Sequence, residues 1–269
     1  MNSPKFWYDG QLISGNSLSL ATDDPGLLYG ATVFSTLRVY DRSLQHPLTN
    51  WQTHCDRICQ SLQTFGWGQP DWQRLCQGAE LLAADHAVLR VAIFPDGREW
   101  ILPRSLPVDL AQRQQQGIVA WLADAPHQFR RSIAADKTGN YLPAWLAIRE
   151  ARQQGAQEAI LVASNGQWLE TSTGNLWGWV DGEWWTPPLT GEILPGLARS
   201  QLIQWLIRHN RTVVEAPWTP EQAQRFTVLA LTNSVVEVVP IHTVLGKSAS
   251  LNYDPNHPAL EILRARFQH

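Results

Sequence analysis

A mixed α/β (α+β) fold in two domains is the architecture this sequence predicts, and three observations carry the prediction. Short apolar runs pair around turn dipeptides at Asp9-Gly10, Asp96-Gly97, Asn165-Gly166 and Asp181-Gly182, the signature of antiparallel hairpins. Segments with helical spacing of apolar residues fall between them in blocks, not in strict alternation, which argues against a doubly wound parallel sheet. The length of 269 residues fits one large or two medium domains, and a broken polar stretch near the middle favours two.

Taken in order, Phe6-Trp7-Tyr8 and Gln11-Leu12-Ile13 flank Asp9-Gly10 and form the first hairpin. Residues 33–40 (VFSTLRVY) are β-branched and aromatic and read as a strand, and Asp41-Arg42-Ser43 turns the chain towards another short strand at 45–48. Thr49 or Asn50 is placed to cap a helix to about Phe65, because Trp51, Cys55, Ile58, Cys59 and Leu62 recur at helical spacing and Gly66 stops it. A second helix is expected over 71–85, then strands over 88–94 and 99–102. Residues 103–117, with two prolines and a Gln run, have the composition of a connection. The boundary is therefore set near residue 120, giving domains of 1–120 and 121–269. A strand at 118–123 leads through a polar loop to Lys137, and a helix over 142–154 ends at Gly155. Strands follow at 159–163, 168–170, 175–180 and 183–186, and a helix starts after Leu194-Pro195-Gly196. Further strands are expected at 211–215, 227–231 and 235–241, with a last helix after Pro258.

Composition narrows function by exclusion. Apolar residues make up 44% and charged ones 17%, with Gly and Pro scattered in no repeat, so disorder, collagen and coiled coil drop out. Net charge is −3 without a Lys/Arg run, so nucleic acid is not an expected partner. The first twenty residues lack an apolar core of a signal peptide, and no apolar stretch reaches the roughly 20 residues of a membrane span. The expectation is a soluble, cytoplasmic protein with no membrane partner. Cys55, Cys59 and Cys76 show neither CxxC nor Cys/His spacing, which fits buried thiols and predicts no disulfide and no metal site.

Only three lysines occur, at 5, 137 and 247, so chemistry needing a primary amine has few candidates. Lys5 lies in a terminal tail and Lys247 follows Gly246 in a Ser-rich loop, and both read as solvated charges. Lys137 sits in Asp136-Lys137-Thr138-Gly139-Asn140-Tyr141, directly before a helix, where neighbouring groups could orient its amine; an arbitrary loop lysine is otherwise a surface charge. Glu170 leaves an apolar strand for hydroxyl-rich sequence (Thr171-Ser172-Thr173), where a carboxylate could keep a heterocyclic nitrogen protonated with hydroxyls lining a polar pocket, or could simply serve a turn. Gly196 opens a helix whose free N–H groups make an anion site, a signal many helices share.

Together these pieces resemble the class IV aminotransferase family of fold-type IV pyridoxal-phosphate enzymes, over nearly the whole chain. Asp24-Pro25-Gly26-Leu27-Leu28-Tyr29-Gly30 with Val33-Phe34-Ser35-Thr36-Leu37-Arg38-Val39-Tyr40 is similar to the family's D-R-G-x-x-Y-G…V-F-E-T-I-R-V-Y block. His54-Cys55-Asp56-Arg57 matches its H-x-x-R helix, and Lys137 with Gly139-Asn140-Tyr141 its cofactor-lysine segment. Glu170, Leu194-Pro195-Gly196, and Thr232-Asn233-Ser234 ahead of Glu237-Val238-Val239-Pro240 follow in the family's order.

The resemblance implies a two-domain enzyme with pyridoxal 5'-phosphate between the domains, and a homodimer with active sites near the subunit interface. It makes Lys137 the lysine that binds the cofactor and then moves protons at the reacting carbon, and Glu170 the acid at the ring nitrogen. Arg57, the backbone N–H groups of Leu197 and Ala198 after Gly196, and Ser234 with Asn233 hold the phosphate, and Tyr141 approaches the ring's 3-oxygen. His54, one helical turn from Arg57, supports that arginine. Tyr29, Phe34, Arg38 and Arg90 fall to the substrate; Arg90 stands among apolar residues, where its partner could be a substrate carboxylate or a structural one.

Several positions depart from the family pattern: Pro25 replaces an arginine, Ser35 a glutamate, Ala198 a threonine, and 95–98 (Pro-Asp-Gly-Arg) lack an R-G pair. These touch substrate identity more than cofactor use. Within the family, Ser35-Thr36 and Thr232-Asn233-Ser234 look most like aminodeoxychorismate lyases, which release pyruvate from 4-amino-4-deoxychorismate and leave 4-aminobenzoate for folate synthesis. Gly139-Asn140-Tyr141 resembles branched-chain aminotransferases, and D-amino-acid aminotransferases are also relatives. A reading of a different class is a noncatalytic protein stacking ligands on tryptophans, since 14 occur and Trp177, Trp179, Trp184 and Trp185 share one hairpin; such residues more often face a core.

Overall fold

The computed structural model describes residues 4–247 and 249–268. Its chain forms two compact units, each with its own sheet.

The first unit runs to Pro107 and includes Asp136–Asn140. Its elements are β1 (Lys5–Tyr8), β2 (Gln11–Ser14), α1 (Pro25–Tyr29), β3 (Val33–Arg38), α2 (Trp51–Phe65), α3 (Trp72–Ala83), β4 (Val88–Ile93) and β5 (Glu99–Arg104). The sheet is antiparallel in the order β2-β1-β5-β4-β3, and α2 and α3 bury Ile58, Leu62 and Leu75 against Leu37, Leu89 and Ile101. Both Asp9 and Gly10 have positive φ, as the expected hairpin requires. Asp71 caps α3 by accepting from the Gln73 and Arg74 amides. Asn50 occupies the cap position of α2, but in a left-handed conformation with no side-chain cap bond. Three expectations change: Lys5 begins β1 instead of lying in a tail, no strand forms at 45–48, where only an isolated Tyr40–Ser43 bridge precedes the helix, and α1 is additional.

The second unit comprises Val108–Ala135 and the chain from Tyr141 onward. In order come α4 (Leu110–Gln116), β6 (Ile118–Ala123), α5 (Pro126–Phe129), α6 (Leu142–Gln153), β7 (Glu158–Val162), β8 (Trp168–Thr171), β9 (Asn175–Val180) and β10 (Glu183–Thr186). There follow α7 (Leu197–Arg208), β11 (Val213–Glu215), α8 (Pro220–Arg225), β12 (Val228–Asn233), β13 (Glu237–Leu245), β14 (Ser250–Asn252) and α9 (Leu260–Ala265). Their sheet is mixed, in the order β11-β10-β9-β12-β13-β6-β7-β8, with β14 beside β13. The boundary expected near 120 lies at 107/108, because the Gln-rich stretch read as a connection contains α4, and Arg264 donates to its Gln114 carbonyl at 2.9 Å.

Trp177 and Trp184 are fully buried with rings edge-to-face at 6.3 Å, and Trp179 and Trp185 are half-buried, so this hairpin belongs to the core and is no stacking platform. All three cysteines are free; Cys55 is buried, and Cys59 and Cys76 are only half-buried. Among the described residues no helix is long and apolar enough to cross a membrane, and no cluster of His, Cys, Asp and Glu could hold a metal ion.

Candidate active site

In the first unit the lysine segment is an added edge of the sheet. The Phe34 amide donates to the Lys137 carbonyl at 2.8 Å, the Gly139 amide to the Thr32 carbonyl at 2.7 Å, and Thr138 bridges Val33 in antiparallel fashion. Position 139 requires glycine, because a Cβ there would collide with the Thr32 hydroxyl and the Gly30 carbonyl. The Ser61 hydroxyl donates to Asp136 at 2.6 Å and anchors the segment to α2. This pairing sets the Lys137 Nζ 4.8 Å from the Phe34 ring centre, while the Arg90 guanidinium lies 3.4 Å from the same centre. Arg38 instead lies over Tyr40 at 4.8 Å, and Tyr29 is exposed at the end of α1.

α2 brings His54 and Arg57 to β3. Ser35 Oγ is 2.6 Å from His54 Nδ1 and accepts from Arg57 Nη2 at 2.5 Å. Burial first, then the charges of Arg57 and Lys137, hold the His54 ring well below its ordinary pKa of 6.5 and so neutral.

In the second unit Glu170 lies in β8, where all four residues are buried. Its Oε1 accepts from Arg131 Nη2 at 2.6 Å, and its Oε2 from the Leu194 amide at 3.1 Å and Asn175 Nδ2 at 3.5 Å. These partners are all donors, so the group they suit is an ionised carboxylate, and a ring nitrogen approaching it must bring the proton. Arg131 also donates to the Ala134 carbonyl at 3.0 Å and lies 5.5 Å from the Tyr141 ring centre. Tyr141 in turn donates its hydroxyl to the Ser172 carbonyl at 3.4 Å.

Gly196 precedes α7 in extended conformation with no side-chain cap, leaving the first amides, Leu197 and Ala198, as donors. A Cβ at 196 would strike the Asn175 amide oxygen, so this glycine serves close packing of the turn. Asn233 caps its own loop, accepting from the Val235 and Val236 amides at 2.8 and 2.9 Å and donating to the Thr173 carbonyl at 3.2 Å; Ser234 follows it, half-buried.

Sequence reasoning missed two residues here. Arg131 gave no signal, being one of two adjacent arginines in a polar loop. Glu158 had one, an acid opening an apolar run. It is buried, and it accepts from the Ser172 hydroxyl, from the Thr173 hydroxyl at 2.5 Å and from the Ala159 amide at 3.0 Å. The Ser172 and Thr173 hydroxyls expected to line a polar pocket thus bond an internal acid, whose pKa burial raises against the pull of those bonds. Thr171 likewise donates to the Gly174 carbonyl.

Residues 32–244 match the family described as Amino-transferase class IV. The chain belongs to that family. It is 25% identical over 268 residues to the branched-chain-amino-acid aminotransferase of Escherichia coli (strain K12), covering 89% of this chain and 84% of that one. It is 22% identical over 245 residues to the aminodeoxychorismate lyase of Vibrio harveyi, covering 86% and 89%. Among solved structures it is similar in fold to a hypothetical aminotransferase from Mycobacterium tuberculosis in its PLP-bound form, with a TM-score of 0.83 at 21% identity over 97% of this chain and 96% of that one. Membership makes the chain an enzyme that uses pyridoxal phosphate. Each unit carries groups of the kind this cofactor needs: the first a primary amine for the aldehyde and a guanidinium for a dianionic phosphate, the second uncapped helix amides for a phosphate and a carboxylate among donors for a protonated pyridine nitrogen.

Proposed function

We propose that this chain is an aminotransferase acting on branched-chain or similar aliphatic α-amino acids. The observation that carries the reading is the sharing of one aromatic ring by two cations, Lys137 at 4.8 Å and Arg90 at 3.4 Å from the Phe34 centre. An α-amino acid carries its carboxylate one carbon from its nitrogen, so a guanidinium close to the reacting amine suits it. In 4-amino-4-deoxychorismate the ring carboxylate lies across the ring from the amine. The aliphatic preference is supported by the branched-chain aminotransferases at 25–26% identity.

Bound pyridoxal phosphate supplies an electron sink for charge developing on the substrate's α-carbon. Lys137 would hold the cofactor through its amine and, when that amine is free, would take the proton from the substrate's α-carbon and return one. Glu170, fixed by Arg131 and Asn175, would accept the ring N–H. Arg57, the Leu197 and Ala198 amides, and the loop of Asn233 and Ser234 would hold the phosphate, and Tyr141 would serve the 3-oxygen. Arg90 takes the substrate carboxylate, with Tyr29, Phe34 and Arg38 as further substrate contacts. A homodimer belongs to the same proposal.

Aminodeoxychorismate lyase is the second reading, favoured by the hydroxyl pair Ser35-Thr36, by Thr232-Asn233-Ser234, and by the relative from Vibrio harveyi. There Lys137 would remove a ring proton, enolpyruvate would leave as the ring becomes aromatic and would take up a proton to give pyruvate, and 4-aminobenzoate would remain. One experiment separates the two. The cofactor-loaded protein is mixed with leucine, isoleucine or valine before any acceptor is added, and separately with 4-amino-4-deoxychorismate. The aminotransferase releases one equivalent of the matching 2-oxo acid per subunit in the first mixture; pyruvate from the second alone reverses the assignment.

A further inference from the structure

Residue 35 is where the sequence departs from the family's glutamate, and its hydroxyl was a pointer to substrate. The structure directs it elsewhere. Successive side chains of a strand point to opposite faces, and residues directly paired across strands share a face. Thr36 pairs with Arg90, so Phe34, Thr36 and Arg90 occupy one face of the sheet. Ser35 pairs with Val91 and, with Leu37, faces the other, where α2 packs. It is fully buried there, and its hydroxyl is bound on both sides by α2, by Arg57 Nη2 at 2.5 Å and His54 Nδ1 at 2.6 Å.

Proton counting fixes the direction of this chain. A guanidinium can only donate, so Arg57 donates to Ser35 Oγ. The hydroxyl's one proton has no acceptor other than His54 Nδ1 among the hydrogen bonds of the described residues, so it goes there and leaves the imidazole proton on Nε2. A neutral ring is what burial and the nearby Arg57 and Lys137 charges favour. The hydroxyl, and through it the neutral imidazole, thus bond the guanidinium without adding a charge of their own. A carboxylate at 35 would instead pair with Arg57 and cancel its charge.

We propose that Ser35 is a positioning residue that orients Arg57 through the Arg57–Ser35–His54 chain, and that the hydroxyl at 35 sets affinity for the cofactor's phosphate and leaves substrate choice alone. The proposal rests on Arg57 as a phosphate anchor, and its test separates the two ideas. Dissociation constants of pyridoxal phosphate and of pyridoxal, which lacks the phosphate, are measured on cofactor-free protein for the native chain, Ser35→Ala, Ser35→Thr, Ser35→Glu and Arg57→Ala. Ser35→Ala weakens pyridoxal phosphate about tenfold, the size of one hydrogen bond to a charged group. Pyridoxal affinity stays unchanged, Ser35→Thr restores binding, and Ser35→Glu loses at least as much as Ser35→Ala. At saturating cofactor the KM for the amino acid stays constant across the Ser35 variants.

Unchanged pyridoxal phosphate affinity in Ser35→Ala, equal losses for both ligands, or a moved KM without a moved cofactor constant would each overturn the proposal. If Arg57→Ala fails to distinguish the two ligands, the phosphate assignment itself falls. A readout without cofactor completes the test: ¹⁵N spectra of the His54 ring place the proton on Nε2 in the native chain and shift at Nδ1 in Ser35→Ala. A proton on Nδ1 in the native chain refutes the direction assigned here.

Discussion

The two units surround their buried ionisable groups in opposite ways. In the first, His54 lies among cations, with Arg57 and Lys137 adding to burial in disfavouring its protonation. In the second, Glu170 is held by an arginine, a backbone amide and a side-chain amide, while Glu158 takes only neutral donors and burial raises its pKa. The difference assigns ligand charge. A cation-rich cluster attracts phosphate and carboxylate, and a carboxylate among donors takes an N–H.

The sharpest way to break this comparison is at Lys137. Lys137→Ala should lower turnover by about 10³-fold or more, because in the proposed function the amine is both attachment point and proton carrier. Borohydride treatment followed by peptide mass analysis should lose its lysine–cofactor adduct. An adduct at Lys5 or Lys247 would remove the first unit's cluster from the chemistry.

Next in size is the Arg131–Glu170 pair, both members of which are about 6% exposed. Arg131→Met leaves a buried carboxylate without its ion partner and should cost about 3–5 kcal/mol of stability, read from urea midpoints. Replacing both, as Arg131→Met with Glu170→Leu, should recover most of that stability, since an apolar pair avoids the desolvation of two charges. Turnover should stay lost in the double variant and in Glu170→Leu alone. A double variant that regains turnover would show that the carboxylate acts only in folding.

How much of this was legible in the sequence follows from what each feature depends on. The hairpins at Asp9-Gly10 and Asp181-Gly182, the helices α2 and α7, and the strand carrying Glu170 are local features, and turn residues and spacing located them. The return of Asp136–Asn140 to pair with β3 is a long-range contact that no local pattern encodes, so the boundary came out simple and misplaced. Lys137, Arg57 and Glu170 stood out through motif order. Arg131 did not, because its meaning lies wholly in a partner 39 residues away. Ser35 was visible as a departure from the family, but its direction depended on sheet register.

Acid response offers a smaller test with a sign of its own in each unit. Above its ordinary pKa of 6.5, His54 is neutral folded and unfolded. Below it the unfolded ring takes a proton the folded ring refuses, so stability falls as pH drops from 6.5 towards the lowered folded value. Glu158 runs the other way. Between its ordinary 4.5 and its raised folded value the folded carboxyl keeps a proton the unfolded chain releases, so its contribution is fully present below 4.5 and is lost as pH rises through that window. Each group contributes a slope of at most about 1.4 kcal/mol per pH unit. In urea titrations from about pH 7 to about pH 4, His54→Gln should flatten the loss on acidification, and Glu158→Gln should steepen it. Equal slopes in both variants would mean that the contrast between the units does not reach their titration.

The smallest expected effect belongs to Lys247, whose amine lies 2.8 Å from Asp124 and is 78% exposed. Water already solvates most of this charge, and holding two flexible chains together offsets the little Coulomb attraction left, so Lys247→Ala should change stability by less than about 0.5 kcal/mol. Its amine is largely solvated, whereas that of Lys137 lies against Phe34, which makes Lys247 the control for Lys137. Its removal should leave the borohydride adduct, the cofactor affinity and turnover as they are. Loss of the adduct in Lys247→Ala would show that the exposed amine at 247, and not the one packed against Phe34, is the reactive lysine.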